Sequence, residues 1–146
     1  MRAGPVELEW DQLIESTAKQ ISDAVPMVDA KPRGTVRRDL DTVASSVPAA
    51  AVLEGFARLE RQLRVKTQGI LDTHSEPGRR RIERSVLAMA RSARDHNLIS
   101  EEILSAILNL SSLRNEAAHR VGGDDITTEQ AREYLDLVDS VIEAMS

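Results

Sequence analysis

Val6, Leu8 and Trp10 alternate with Glu7 and Glu9, and this two-residue period predicts a short strand or extended lead-in. After Asp11, a candidate cap, the period changes. Ile14, Ala18, Ile21 and Val25 form one stripe of a helix that Pro26 ends. Residues 26–47 carry Pro26, Pro32 and Gly34 and stop before Pro48, so they read as a loop holding a short helix over residues 37–45. Ser46 then reads as an N-cap, with Pro48 in the first turn of a new helix, where its missing N–H costs nothing. Val52, Phe56, Leu59 and Leu63 follow at helical spacing, and Gly69 weakens the last turn.

Three more helices follow. One opens near Ser75-Glu76-Pro77 and runs to about His96 on a stripe of Ile82, Val86, Met89 and Ala93. Asn97 is its expected left-handed stop, and His96 is better read as a cap than as a catalyst. Ser100 caps the next, with Glu101 and Glu102 at the positive end of the dipole and Ile103, Ile107, Leu110, Leu113 and Ala117 inside. Gly122-Gly123 is expected to end it. Thr127 and Gln130 form a capping box for the last helix, whose stripe is Leu135, Val138 and Ile142. The short connections between the last helices favour antiparallel neighbours. The predicted fold is therefore all-α: an antiparallel bundle of four main helices plus an N-terminal helix, preceded by the extended segment. Residues 1–45 read as segment, helix and linker, and residues 46–146 as the bundle.

Composition narrows the function classes. With 41% apolar and 29% charged residues the chain is globular, and with only Trp10, Phe56 and Tyr134 aromatic its core must be aliphatic. The absence of cysteine excludes disulfides, thiolate metal sites and a cysteine nucleophile, and fits a reducing, cytoplasmic setting. His74, His96 and His119 lack ligand spacing, and no phosphate loop or dinucleotide turn occurs, so no metal or cofactor is expected. No apolar run is long enough to span a membrane. Charge is uneven: −2 over residues 1–50, +4 over 51–96 and −7 over 97–146. The basic middle, including Arg79, Arg80, Arg81 and Arg84, allows local phosphate binding, although taken alone it is better read as a solvated helix face.

The chemistry concentrates in Arg114-Asn115-Glu116-Ala117-Ala118-His119. Asn115 and His119 are four apart and share a face. Arg114 precedes His119 by five residues, about 140° round the helix and roughly 7.5 Å along it, so one helix does not force the two to converge. A histidine can exchange protons near neutral pH, and an arginine can donate several hydrogen bonds to phosphate. Together they can support cleavage of a phosphodiester, with Asn115 orienting the histidine or the phosphate. The bland alternative is an ion pair and a helix cap.

This stretch, with Leu113 before it, resembles the signature of HEPN domains, the higher-eukaryote and prokaryote nucleotide-binding helical family. There an Arg, often followed by Asn, precedes a His by four to six residues. The segment PAAAVLEGFARLERQLR, residues 48–64, also resembles the helix that packs beside that motif in some prokaryotic members. The resemblance covers roughly residues 46–146. It implies a helical bundle that commonly pairs with a second copy. Active members are metal-independent ribonucleases of toxin, defence and RNA-processing systems. It also implies that Arg114 and His119 are catalytic with Asn115 assisting. Beside it, Glu54 on the neighbouring helix is our choice of polar partner for Arg114, and the chemistry of the trio makes single-stranded RNA the expected ligand. For Glu54 the alternative is a surface ion pair with Arg58. Val121 stands where toxins silenced by a nucleotidyltransferase antitoxin often have Tyr two residues after the motif His, which weakens that specific reading. Two other readings stay open: a non-catalytic dimerisation or adaptor module, and the cytosolic domain of a membrane-linked protein, which the start Met1-Arg2-Ala3-Gly4-Pro5 would suit as a cut from a longer chain.

Overall fold

A computed structural model describes residues 4–24, 34–73, 85–119 and 126–145 of the chain. Among them the regular structure is helical throughout: α1 (Gly4–Ala24), α2 (Thr35–Ser46), α3 (Pro48–Thr73), α4 (Val86–Asp95), α5 (Glu101–Ala118) and α6 (Thr128–Met145). The extended lead-in is not present. Val6 to Trp10 belong to α1, which begins at Gly4. The apparent alternation covers only three apolar positions, while Pro5 is tolerated in a first turn and the longer spacing Trp10–Leu13–Thr17–Ile21 continues one helical face. Trp10, Thr17 and Ile21 are buried, whereas Ala18, expected on that stripe, is exposed.

The helix ends follow local chemistry. Ser46 closes α2 instead of capping α3, and the single residue Val47 joins the two. The Val47 carbonyl accepts from the Ala50 and Ala51 N–H groups at 3.0 and 3.2 Å. Gly69 is accommodated inside α3, which continues to Thr73. Ser85 caps α4, and the earlier part of that predicted helix, with Ile82, lies outside the described residues. At the end of α4, Asn97 has φ 60°. The Leu98 N–H reaches the Ala93 carbonyl at 2.8 Å and the Asn97 N–H reaches that of Arg94 at 3.0 Å, the paired bonds of a Schellman stop. The His96 ring donates through Nδ1 to the Ser92 carbonyl at 2.9 Å, a capping role. Ser100 Oγ accepts from Ile103 N–H at 3.1 Å, and Thr127 and Gln130 exchange both capping-box bonds at 3.0 Å. α5 ends at Ala118, and Gly122-Gly123 lies outside the described residues.

One core joins these elements. Val52, Phe56, Leu59, Ile107, Leu110, Leu113, Leu135 and Val138 are buried as the spacing requires, and Val86 is half-buried. Trp10, Ile21, Val36 and Leu40 extend the same cluster, so α1 and α2 share it with the later helices. α3 packs on α2, α4, α5 and α6, and α1 lies along α5 and α6. Gly55 makes the α3–α6 contact close: a Cβ there would stand 2.5 Å from Leu135 Cδ2. Along the α1–α5 seam, Asn109 donates to Gln20 Oε1 at 3.2 Å and Gln20 donates to Ser105 Oγ at 3.1 Å, which fixes the register between two otherwise apolar stripes.

Candidate functional site

The heptad-like stripe of α5 decides where its motif points. Leu113 and Ala117 face inward, with 1% and 0% exposure, and the neighbouring Arg114, Asn115, Glu116, Ala118 and His119 are exposed. His119 is the C-cap, and its N–H is shared between the Asn115 and Glu116 carbonyls at 3.3 and 3.2 Å. Its imidazole therefore leaves the chain where the helix stops, open to solvent on the side of Asn115. Arg114 donates from Nη1 to Asn115 Oδ1 at 3.3 Å, a long bond between adjacent residues. Among the described residues no hydrogen bond joins the Arg114 guanidinium to the His119 ring, in keeping with their angular offset.

Beneath the motif lies Tyr134 of α6. It is fully buried, its phenol donates to the Leu110 carbonyl at 2.8 Å, and its ring lies 6.1 Å from that of Trp10. Burial pushes the phenol well above its ordinary pKa, and the positive charge of Arg114 acts against that shift. Tyr134 is thus a neutral hydrogen-bond donor at working pH, holding α6 against the helix that carries the motif. Among the described residues the buried Trp10 Nε1 has no hydrogen-bond partner.

Glu54 is exposed on α3, one residue before the Gly55 contact with Leu135 and Tyr134. Among the described residues it forms no ion pair with Arg114 or with Arg58, which meets Asp39 at 2.7 Å instead. Arg79, Arg80, Arg81 and Arg84 lie outside the described residues. A surface hollow of about 570 Å³, lined in part by Thr35, Arg58, Arg61, Gln62 and Glu143, lies between α2, α3 and α6 and does not involve the motif. Among the described residues no cluster of three or more acidic, His or Cys side chains is arranged to hold a metal ion, and no helix is long and apolar enough to cross a membrane.

The negative last third of the chain has a local consequence at the start of α6. Burial first, then the charges of Asp11, Glu129 and Asp136, hold the Glu133 carboxyl above its ordinary value. A carboxyl raised in the folded state favours folding at low pH, and that contribution is lost as pH rises through its folded value. Glu133→Gln is expected to raise the melting temperature at neutral pH, with the gain shrinking towards about pH 4, where the native residue is itself largely protonated. Thermal unfolding at both pH values tests this, and an equal shift at each would contradict it.

Sequence reasoning missed Tyr134 as a polar anchor and missed Asp139 altogether. Asp139 gave no distinct signal, because Asp136 and Glu143 lie three before and four after it and make it read as part of a solvated polar stripe. Compared with known proteins, the chain matches no protein-family model, no curated protein and no solved structure.

Proposed function

We propose that the chain is a HEPN-like domain that acts as a homodimeric, metal-independent endoribonuclease on single-stranded RNA, built as an antiparallel bundle of four main helices plus α1 and working in the cytoplasm. The observation that carries the reading is the division of α5: Leu113 and Ala117 are committed to the core while Arg114, Asn115 and His119 stand exposed together at its end. None of the three side chains is taken up in the core, so a cation, an amide and an imidazole are accessible to a ligand at one helix end. Their offset within one helix is relieved if a second copy brings its own α5 alongside, the symmetric solution common to small helical proteins.

In this reading the His119 imidazole takes the proton of the ribose 2′-OH, and the 2′ oxygen attacks the adjacent phosphorus. The bond to the 5′-oxygen breaks and that oxygen leaves as a hydroxyl protonated from solvent, generating a 2′,3′-cyclic phosphate, while the imidazolium returns its proton to water. Arg114 meets the charge that develops on the phosphoryl oxygens, and Asn115 orients the imidazole or the phosphate. Glu54 supports Arg114 from α3, and Arg79, Arg80, Arg81 and Arg84 enter by their charge alone, as contacts to the RNA backbone. The internal nucleophile and the proton acceptor suffice without a metal ion.

The test is cleavage of end-labelled single-stranded RNA with EDTA present, with DNA of the same sequence as control. RNA is expected to yield cyclic-phosphate ends and DNA, which lacks the 2′-OH, to stay intact. The same protein should sediment as a dimer at tens of micromolar, on the order of the affinity of a weak specific contact. Cleavage of DNA, or loss of activity in EDTA, contradicts the mechanism. Silence on varied RNAs would instead favour the adaptor reading, in which the Arg114–Asn115 hydrogen bond and the His119 cap serve a helix end at a protomer interface.

A further inference from the structure

α3 and α6 run parallel and in step. The close approach of Gly55 to Leu135 marks one end of their contact, and a hydrogen bond from Lys66 Nζ to the Met145 carbonyl marks the other. Arg58, Arg61 and Gln62 of α3 therefore stand level with Asp139, Ile142 and Glu143 of α6, across the hollow of about 570 Å³. The first turn of α2, with Thr35 and Val36, closes its third side. One wall is cationic and the facing wall anionic. Among the described residues, no ion pair crosses between them.

Two of the four charges are already committed. Asp139 is 6% exposed, and its Oδ1 and Oδ2 accept from the Val36 and Arg37 N–H groups, both at 2.9 Å. Those amides make its burial tolerable, and in return it caps α2, whose own N-cap, Gly34, has no side chain to offer. Arg58 turns away to Asp39 at 2.7 Å. Arg61 and Glu143 remain. Both are exposed and face the hollow with no charged partner among the described residues, beside the Gln62 amide and the Thr35 hydroxyl. The half-buried Ile142 gives the hollow an apolar floor.

This arrangement suits neither a simple anion nor a simple cation. An anion drawn to Arg61 would lie against Glu143 and Asp139, and a cation drawn to Glu143 would lie against Arg61 and Arg58; like charge disfavours each. A molecule that carries both charges a few bonds apart meets neither penalty, and a hollow of this volume is of the size that takes small ligands. We propose that the hollow binds a free α-amino acid with an aliphatic side chain. Its carboxylate meets Arg61 and Gln62, its ammonium meets Glu143 and the Thr35 hydroxyl, and its side chain lies over Ile142. The α5 motif takes no part in this site, which stands apart from the ribonuclease reading. Because its polar groups are exposed, water and salt weaken each contact, and the dissociation constant is expected at about a millimolar.

The test is a nuclear magnetic resonance titration of the isotope-labelled whole chain with three probes. Leucine carries both charges, N-acetyl-leucine keeps only the negative one and leucinamide only the positive one. The backbone amides of Thr35, Gln62 and Glu143 should shift saturably with leucine, and each derivative should bind at least about tenfold more weakly. Arg61→Gln and Glu143→Gln, both at exposed positions, should each weaken leucine binding by about tenfold. The comparison of probes on the unaltered chain decides the matter even if a variant folds poorly. No saturable shift with leucine up to about 20 mM, a derivative that binds as tightly as leucine, or unchanged binding of leucine by either folded variant overturns the proposal.

Discussion

Gly55→Leu is expected to destabilise the domain by about 3 kcal/mol, because the α3–α6 contact has no room for a side chain. Even the first carbon would meet Leu135 Cδ2 at 2.5 Å, and Leu135 is fully buried, so its methyl cannot swing into solvent. Tyr134 and Val36 close the remaining sides at 3.9 Å. Gly55→Ala sets two effects against each other. Alanine is favoured over glycine inside a helix by about 1 kcal/mol, while overpacking of a close-packed core costs roughly 1–3 kcal/mol. A net loss of about 1 kcal/mol follows for alanine. Chemical denaturation of the two variants beside the unaltered protein gives both numbers, and a Gly55→Ala variant more stable than the parent would show that Leu135 yields more easily than its burial implies.

The helices were legible in the chain wherever a cap and a three-four stripe agreed. Ser100 before Ile103 and Ile107, and Thr127 with Gln130 before Leu135 and Val138, each fix a start and a buried face by local chemistry, and both stand as the sequence predicts. Val6, Leu8 and Trp10 misled because a two-residue period over three positions is too short to outweigh the helical spacing that follows. Ser46 misled because α2 and α3 share a junction of one residue, too short for the serine to lie outside both. The Asp139 cap was illegible for a different reason: a carboxylate that serves another helix leaves no spacing signal along its own. The motif was legible as Arg114, Asn115 and His119, and their exposure follows from the burial of Leu113 and Ala117. No meeting of Arg114 and His119 was legible, since five residues along one helix set them about 140° apart.

The function proposed for that motif depends most on His119. The residue is exposed and follows the last residue of α5, and its contribution to the helix end is the backbone N–H, which alanine retains. His119→Ala should therefore keep the helical circular dichroism and the melting temperature of the parent. Arg114→Ala should do the same, since its side chain meets only the neighbouring Asn115 among the hydrogen bonds described. Losing the proton acceptor, or the cation that meets the phosphoryl charge, should cost about a hundredfold or more in rate. The measurement is the rate of single-stranded RNA cleavage in EDTA for the parent, His119→Ala and Arg114→Ala at matched purity and concentration. Cleavage by the parent is expected, with at least about a hundredfold loss in both variants and folding intact. Cleavage that persists undiminished in His119→Ala would contradict it.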